Sequence, residues 1–131
     1  IRNHIGLIYE NRGDRVITDA KWLSALLEQI ISNAVKYTKN GNVEISFDRA
    51  KNRLVISDSG IGIRSEDIPK IFDKGYSGFN GRLNQKSSGI GLYMAKKIAH
   101  KLSMTIDVES EVGKGSSFFV YFNELHRKNG V

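Results

Sequence analysis

The sequence predicts an α/β protein: a two-layer α/β sandwich with helices on one face of a mixed sheet. Three observations carry this. Apolar residues recur at helical spacing from Leu23 to Val35. Shorter stretches, such as Val43-Ile45-Phe47, alternate with polar residues as a half-buried strand does. Taken in order, the elements read β-β-α-β-β-loop-α-β-β, mixing hairpins with helices.

The first two strands are Ile5 to Tyr9 and Val16 to Thr18, with Asn11 and Gly13 suited to the turn between them. Asp19 is placed to cap the long helix that follows. Leu23, Leu26, Leu27, Ile30, Ile31, Ala34 and Val35 form its apolar stripe, and Asn40-Gly41 ends it. Asn42 to Asp48 and Leu54 to Ile56 follow as strands joined by a turn at Lys51-Asn52. From Asp58 to Gly91 the character changes. More than half of the thirteen glycines and the single proline, Pro69, lie there. A short helix is expected near Ser65 to Phe72, then an aperiodic loop over Lys74 to Ser88. Ile90 to Leu102 is helical, with Gly91, Ala95, Ile98 and Leu102 on one face. Met104 to Val108 and Ser117 to Phe122 are closing strands, and the tail from Glu124 is frayed.

A length of 131 residues suits one domain spanning 1–131. No apolar run could span a bilayer, and no secretory pattern opens the sequence. The absence of cysteine excludes disulfides and thiolate metal sites. The net charge of +6 is dispersed, with no nucleic-acid-binding motif, so it reads as solvated surface. The opening on Ile1 in a strand pattern suggests a piece of a longer protein.

Four blocks hold groups suited to chemistry. With Leu23 at zero on the helix wheel, Asn33, Gln29, Lys36 and Tyr37 fall at roughly 280, 240, 220 and 320 degrees, along one border of the apolar arc. An amide oxygen there can ligate Mg²⁺ and a lysine can meet phosphate, although such residues also suit an ordinary core rim. Asp58-Ser59-Gly60-Ile61-Gly62-Ile63 follows a strand directly. Its carboxylate can accept from an exocyclic amine such as that of adenine, beside backbone that glycine leaves open; a plain turn is the alternative. Ser87-Ser88-Gly89-Ile90-Gly91-Leu92 opens a helix, where free N–H groups favour anions or a serine simply caps. Gly113-Lys114-Gly115-Ser116 alone suggests only a hairpin. The P-loop pattern is absent. The dinucleotide fingerprint fails too, because Ser65, Met94 and Phe118 stand where its third glycine belongs.

In this order, the blocks resemble the ATP-binding catalytic domain of sensor histidine kinases, within the group shared with gyrase, Hsp90 and MutL (the GHKL or Bergerat fold). The resemblance runs from about Asp19 to Phe122. Glu28 to Thr38 is similar to the N box, Asp58 to Ile63 to the G1 box, Ile71-Phe72-Asp73-Lys74-Gly75 to the F box and Ser88 to Leu92 to the G2 box. Gly113 to Ser116 is similar to the last glycine block, with serine where the family often has threonine. Gly75-Tyr76-Ser77-Gly78, Asn80-Gly81-Arg82, Trp22-Leu23 and Gln29 most resemble the BceS/GraS-type sensors of antimicrobial peptides in Gram-positive bacteria.

The resemblance implies a mixed five-stranded sheet, about three helices on one face and an ATP lid over about residues 73–88. It implies Mg-ATP as ligand, with Asn33 on Mg²⁺, Lys36 and Tyr37 toward phosphates and sugar, and Asp58 on the adenine amine. Gly60 and Gly62 would floor the base pocket, and Gly89 and Gly91 would cradle phosphates. Ile63, Phe72, Lys74, Gly75, Arg82, Ser88, Ile90, Leu92 and Ser116 complete the implied ATP site. In the ATPases of this group an acid precedes the Asn33 equivalent by four residues and activates water. Gln29 stands there and cannot act as a base, and Glu28 lies across the apolar arc. A neutral histidine is already a nucleophile, so the resemblance favours phosphotransfer to histidine, with Gln29, Asn33 and Lys36 as catalytic residues. A non-catalytic ATP-binding module and a GHKL-type ATPase are the alternatives. His4, His100 and His126 lack the helical, acid-flanked setting of an acceptor, which is expected upstream of residue 1. The implied partners are the histidine-bearing dimerisation helices of the same protein, a response regulator and an ABC-transporter sensor complex. Nucleic acid is not expected, and a membrane only through upstream segments. The implied setting is the cytoplasmic side of a bacterial plasma membrane.

Overall fold

The computed structural model describes residues 4–9 (as backbone), 18–38, 40–76 and 91–123. Five strands form one sheet in the order β1-β2-β3-β5-β4: β1 is His4–Tyr9, β2 Asn40–Asp48, β3 Arg53–Asp58, β4 Thr105–Glu111 and β5 Gly115–Tyr121. β1 pairs with β2 in parallel, and the other three pairings are antiparallel. The mixed five-stranded sheet is therefore as expected. Of the expected second strand, Val16 and Ile17 lie outside the described residues, and Thr18 sits in a bend.

The long helix α1 spans Ala20–Lys36. The Asp19 carboxylate accepts from the backbone N–H groups of Lys21 (3.0 Å) and Trp22 (3.2 Å), so two of the orphan donors at the helix start are satisfied. Leu26, Ile30 and Ala34 are fully buried, with Leu23, Leu27 and Ile31 packed around them. Val35, at the far edge of the stripe, departs from expectation and remains 39% exposed. The helix stops at Lys36 with Tyr37 as its C-cap, and Asn40-Gly41 begins β2 rather than ending α1.

The expected helix near Ser65 to Phe72 is only a 3₁₀ turn at Ile68–Lys70. Pro69 supplies no N–H, and Lys70, Ile71 and Asp73 each bond three residues back. The described residues thus contain two α-helices and this turn. The second helix, α2, spans Gly91–Lys101 and buries Ala95, Ile98 and Ala99. Leu102, just beyond it, is also buried.

α1 and α2 pack on one sheet face, over Val43, Ile56, Ile106, Val108, Phe118 and Val120. The other face is sealed differently. Arg53 bonds Asp48 (3.0 Å) and the Tyr121 hydroxyl (3.0 Å), and its guanidinium lies 4.0 Å over the Phe119 ring. Phe119 is buried there, away from the helices.

This order makes β3 and β5 neighbours at the middle of the sheet, beside the C-terminal end of α1. Phe118, wholly buried and in edge contact with Phe72, ties the layers together. Phe118→Ala is expected to cost about 3–5 kcal/mol in urea unfolding, and Asp19→Ala about 1 kcal/mol.

Candidate functional site

Asp58 ends β3, directly opposite Val43 on β2 and Ser116 on β5. Its carboxylate is held by backbone: the Gly60 N–H donates to Oδ1 at 2.9 Å, and the Ser116 N–H also donates to the side chain. Burial pushes the Asp58 pKa above the usual aspartate range, and these two donors partly oppose that. The result is a withdrawn carboxylate with fixed orientation and spare acceptor capacity.

Two glycines make this packing possible. Gly115 has φ +118, and a β-carbon there would collide with the Asp58 carbonyl. Gly62 has φ +79, and a β-carbon there would collide with the Glu111 carbonyl. The turn after Asp58 is thereby pressed against both the end of α1 and the β4–β5 hairpin. Ile61 N–H donates to the Tyr37 carbonyl at 3.3 Å, and Gly113 N–H to the Ile61 carbonyl at 2.9 Å. Ile63 N–H donates to the Ser110 hydroxyl at 2.7 Å.

On the α1 side, Lys36 and Tyr37 are half-buried, with the Lys36 ammonium 5.5 Å from the Tyr37 ring centre. Burial lowers the Lys36 pKa. Asn33 is half-buried and its side chain bonds no other described residue. One turn earlier, the Gln29 amide oxygen lies 3.2 Å from where a β-carbon on Gly91 would sit, at the first residue of α2.

The structure therefore brings Tyr37, Asp58, Gly60, Gly62, Ile63 and Ser116 into one contiguous patch, with Asn33 and Lys36 on the adjoining helix. It sets Gln29 against the start of α2. Phe72 and Leu92 pack on the core, with the Lys96 ammonium 5.0 Å from the Phe72 ring centre. Lys74 and Gly75 are exposed, and Lys74 lies 6.0 Å from the Tyr93 ring centre. Arg82, Ser88, Gly89 and Ile90, with most of the expected lid, lie outside the described residues.

Two residues of the patch, Thr38 and Ser110, receive no role from the sequence motifs. Thr38 is wholly buried, and its hydroxyl makes no hydrogen bond with any described group. That oxygen and Asp58 Oδ1 lie 2.8 and 2.9 Å from the same point, where Gly60 would carry a β-carbon. Ser110 continues the inward row of Ile106 and Val108 on β4, and a hydroxyl at an inward position was the available signal. Ending that strand at Val108 hides it.

Asp58 binds its proton more tightly folded than unfolded, so ionising it costs native stability. The cost is absent below the usual aspartate range and grows as pH rises through and above it. Relative to wild type, Asp58→Asn should gain stability as pH rises from about 3 to about 7, read by urea unfolding at several pH values. A difference independent of pH would contradict the raised pKa.

Comparison with known proteins follows the same outline. The family model described as histidine kinase-, DNA gyrase B- and HSP90-like ATPase matches residues 18–126. The sensor protein BceS of Bacillus subtilis is 42% identical over 124 residues, covering 93% of this chain and 37% of that protein. The sensor histidine kinase YxdK of Bacillus subtilis is 43% identical over 107 residues, covering 79% and 33%. The sensor protein kinase GraS of Staphylococcus aureus is 38% identical over 111 residues, covering 83% and 32%. The chain thus spans about a third of the length of these relatives. In fold, it matches the mycobacterial sensor histidine kinase MprB with a TM-score of 0.74 at 21% identity, over 89% of this chain and 80% of that one. The full-length ShkA structure in complex with AMPPNP matches with a TM-score of 0.71 at 19% identity, over 98% and 26%. With residues 18–126 matched by one family model, the chain belongs to the histidine kinase-, DNA gyrase B- and HSP90-like ATPase family.

Proposed function

We propose that this chain is the ATP-binding catalytic domain, over residues 1–131, of a membrane sensor kinase, and that it transfers the γ-phosphate of ATP to a histidine on a separate dimerisation module. A response regulator would receive the phosphate next. The observation that carries this reading is Asp58: a half-buried carboxylate, fixed by two backbone N–H donors, with acceptor capacity left for an amine. The unpaired Thr38 hydroxyl beside it marks the same place as polar and incomplete.

In this reading the adenine amine donates to Asp58, over a floor formed by Gly60, Gly62 and Ile63. Lys36 and Tyr37 face phosphates and sugar. Gly91, the first residue of α2, lies toward the phosphates, with Ser88, Gly89 and Ile90 assigned there by the sequence block alone, and Leu92, Ser116 and Phe72 back the pocket. Lys74, Gly75 and Arg82 are assigned to the ATP lid from the sequence.

The residues present suit Mg²⁺ shared with phosphate rather than a cage of protein ligands. No cluster of three or more His, Asp or Glu side chains exists among the described residues, and the Asn33 amide has no other partner there. Asn33 would hold the ion, which when bound neutralises charge on the phosphates. Lys36 adds a cation, and Gln29 orients without acting as a base. The neutral acceptor imidazole supplies its own lone pair to the γ-phosphorus, and the bond to the departing ADP oxygen breaks. His100, in the last turn of α2, is not assigned that role.

In this reading, which rests on the resemblance of the Trp22-Leu23, Gln29 and residue 75–82 motifs to the BceS/GraS type, the parent protein would sense antimicrobial peptides, with an ABC transporter as partner and this domain on the cytoplasmic side of the membrane. No described helix is long and apolar enough to cross a membrane.

The test is an ATP titration with and without Mg²⁺, followed by phosphotransfer to an added acceptor hairpin. Wild type should bind ATP with Mg²⁺-dependent affinity and label the hairpin. Asn33→Ala should lose most of the Mg²⁺ dependence and lower transfer about 100-fold or more, the scale of losing one transition-state electrostatic contact. ATP binding without transfer would favour a non-catalytic module, and steady phosphate release without transfer an ATPase.

A further inference from the structure

Ser110 lies outside every sequence block, yet its hydroxyl makes three contacts at once. Ile63 N–H reaches it at 2.7 Å, the Gly115 carbonyl lies at 3.0 Å and the Ser116 hydroxyl at 2.7 Å. A serine hydroxyl has one proton and two lone pairs. The amide can only donate and the carbonyl can only accept. Only one assignment satisfies all three contacts. Ser110 gives its proton to Gly115, accepts from Ile63, and must accept from Ser116.

The direction of that last bond fixes the chemistry of Ser116. With its proton committed to Ser110, the Ser116 hydroxyl offers only lone pairs elsewhere. Asp58, Ser116 and Ser110 stand in one cross-strand row over β3, β5 and β4. An ionised Asp58 is likewise an acceptor. The row therefore presents acceptors, a polarity that suits a 6-amino purine and disfavours a 6-oxo purine.

We propose that Ser110 is a specificity-determining positioning residue, which orients the Ser116 proton away from the base site and so sets the preference for a 6-amino over a 6-oxo purine nucleotide. This rests on the reading of Asp58 as the base-reading group.

The experiment measures dissociation constants of ATP and of ITP, its 6-oxo counterpart, for wild type, Ser110→Ala, Ser116→Ala and the double variant. In Ser110→Ala the Ser116 proton is freed to meet the 6-oxo group. The preference for ATP over ITP should fall by about 3- to 10-fold, the worth of one neutral hydrogen bond. That fall should require Ser116, so the double variant should show the same preference as Ser116→Ala. A purely structural role would weaken both nucleotides equally and leave the ratio unchanged, which would overturn the assignment. Should Ser110→Ala not fold, Ser110→Cys, with a much weaker acceptor, is read by the same ratio. A wild-type chain that binds neither nucleotide would instead overturn the base-site reading itself.

Discussion

The structure depends on one half-buried carboxylate being kept in place. Asp58 sits at the end of a middle strand, where desolvation penalises its charge, so every group around it must be close and correctly oriented. The backbone N–H groups of Gly60 and Ser116 meet it. The Gly60 donor requires the chain to turn immediately after β3. The Ser116 donor requires β5 to lie beside β3, with Gly115 at a backbone angle few other residues adopt. The sheet order and both glycine blocks serve this one constraint.

The same constraint sets what lies around the carboxylate. The end of α1 receives the turn through Tyr37, and the β4–β5 hairpin receives it through Ile61 and Ser110. Three chain segments distant in sequence are thereby fixed to about a hydrogen bond's tolerance. The arrangement is costly to the free protein. A raised aspartate pKa and the unpaired Thr38 hydroxyl both lower native stability. The apolar layer of α1, α2 and the inner sheet face offsets that cost.

Much of this was legible in the sequence. The 3.6-residue stripe located α1, Asp19 marked its start, and alternation located β2. The order of the Asp58, Gly91 and Gly115 blocks pointed to the family. Failures arose where local signals compete with tertiary context. Asn40-Gly41 resembles a helix stop, but Gly41 packs against Ser59 within the sheet. Pro69 reduced an expected helix to a 3₁₀ turn. β1 pairs in parallel with β2, which no hairpin signal announces. Thr38 and Ser110 carry ordinary side chains, and only their burial and partners give them meaning.

The central claim is that Asp58 reads the amine of a purine. Its most direct test compares the binding of ATP with that of purine riboside triphosphate, which lacks the 6-amino group, in wild type and Asp58→Asn. Wild type should prefer ATP by about 10- to 150-fold, the range for a hydrogen bond to a charged acceptor, and the variant should lose that preference. Equal affinities in wild type, or a preference that survives in Asp58→Asn, would contradict the account.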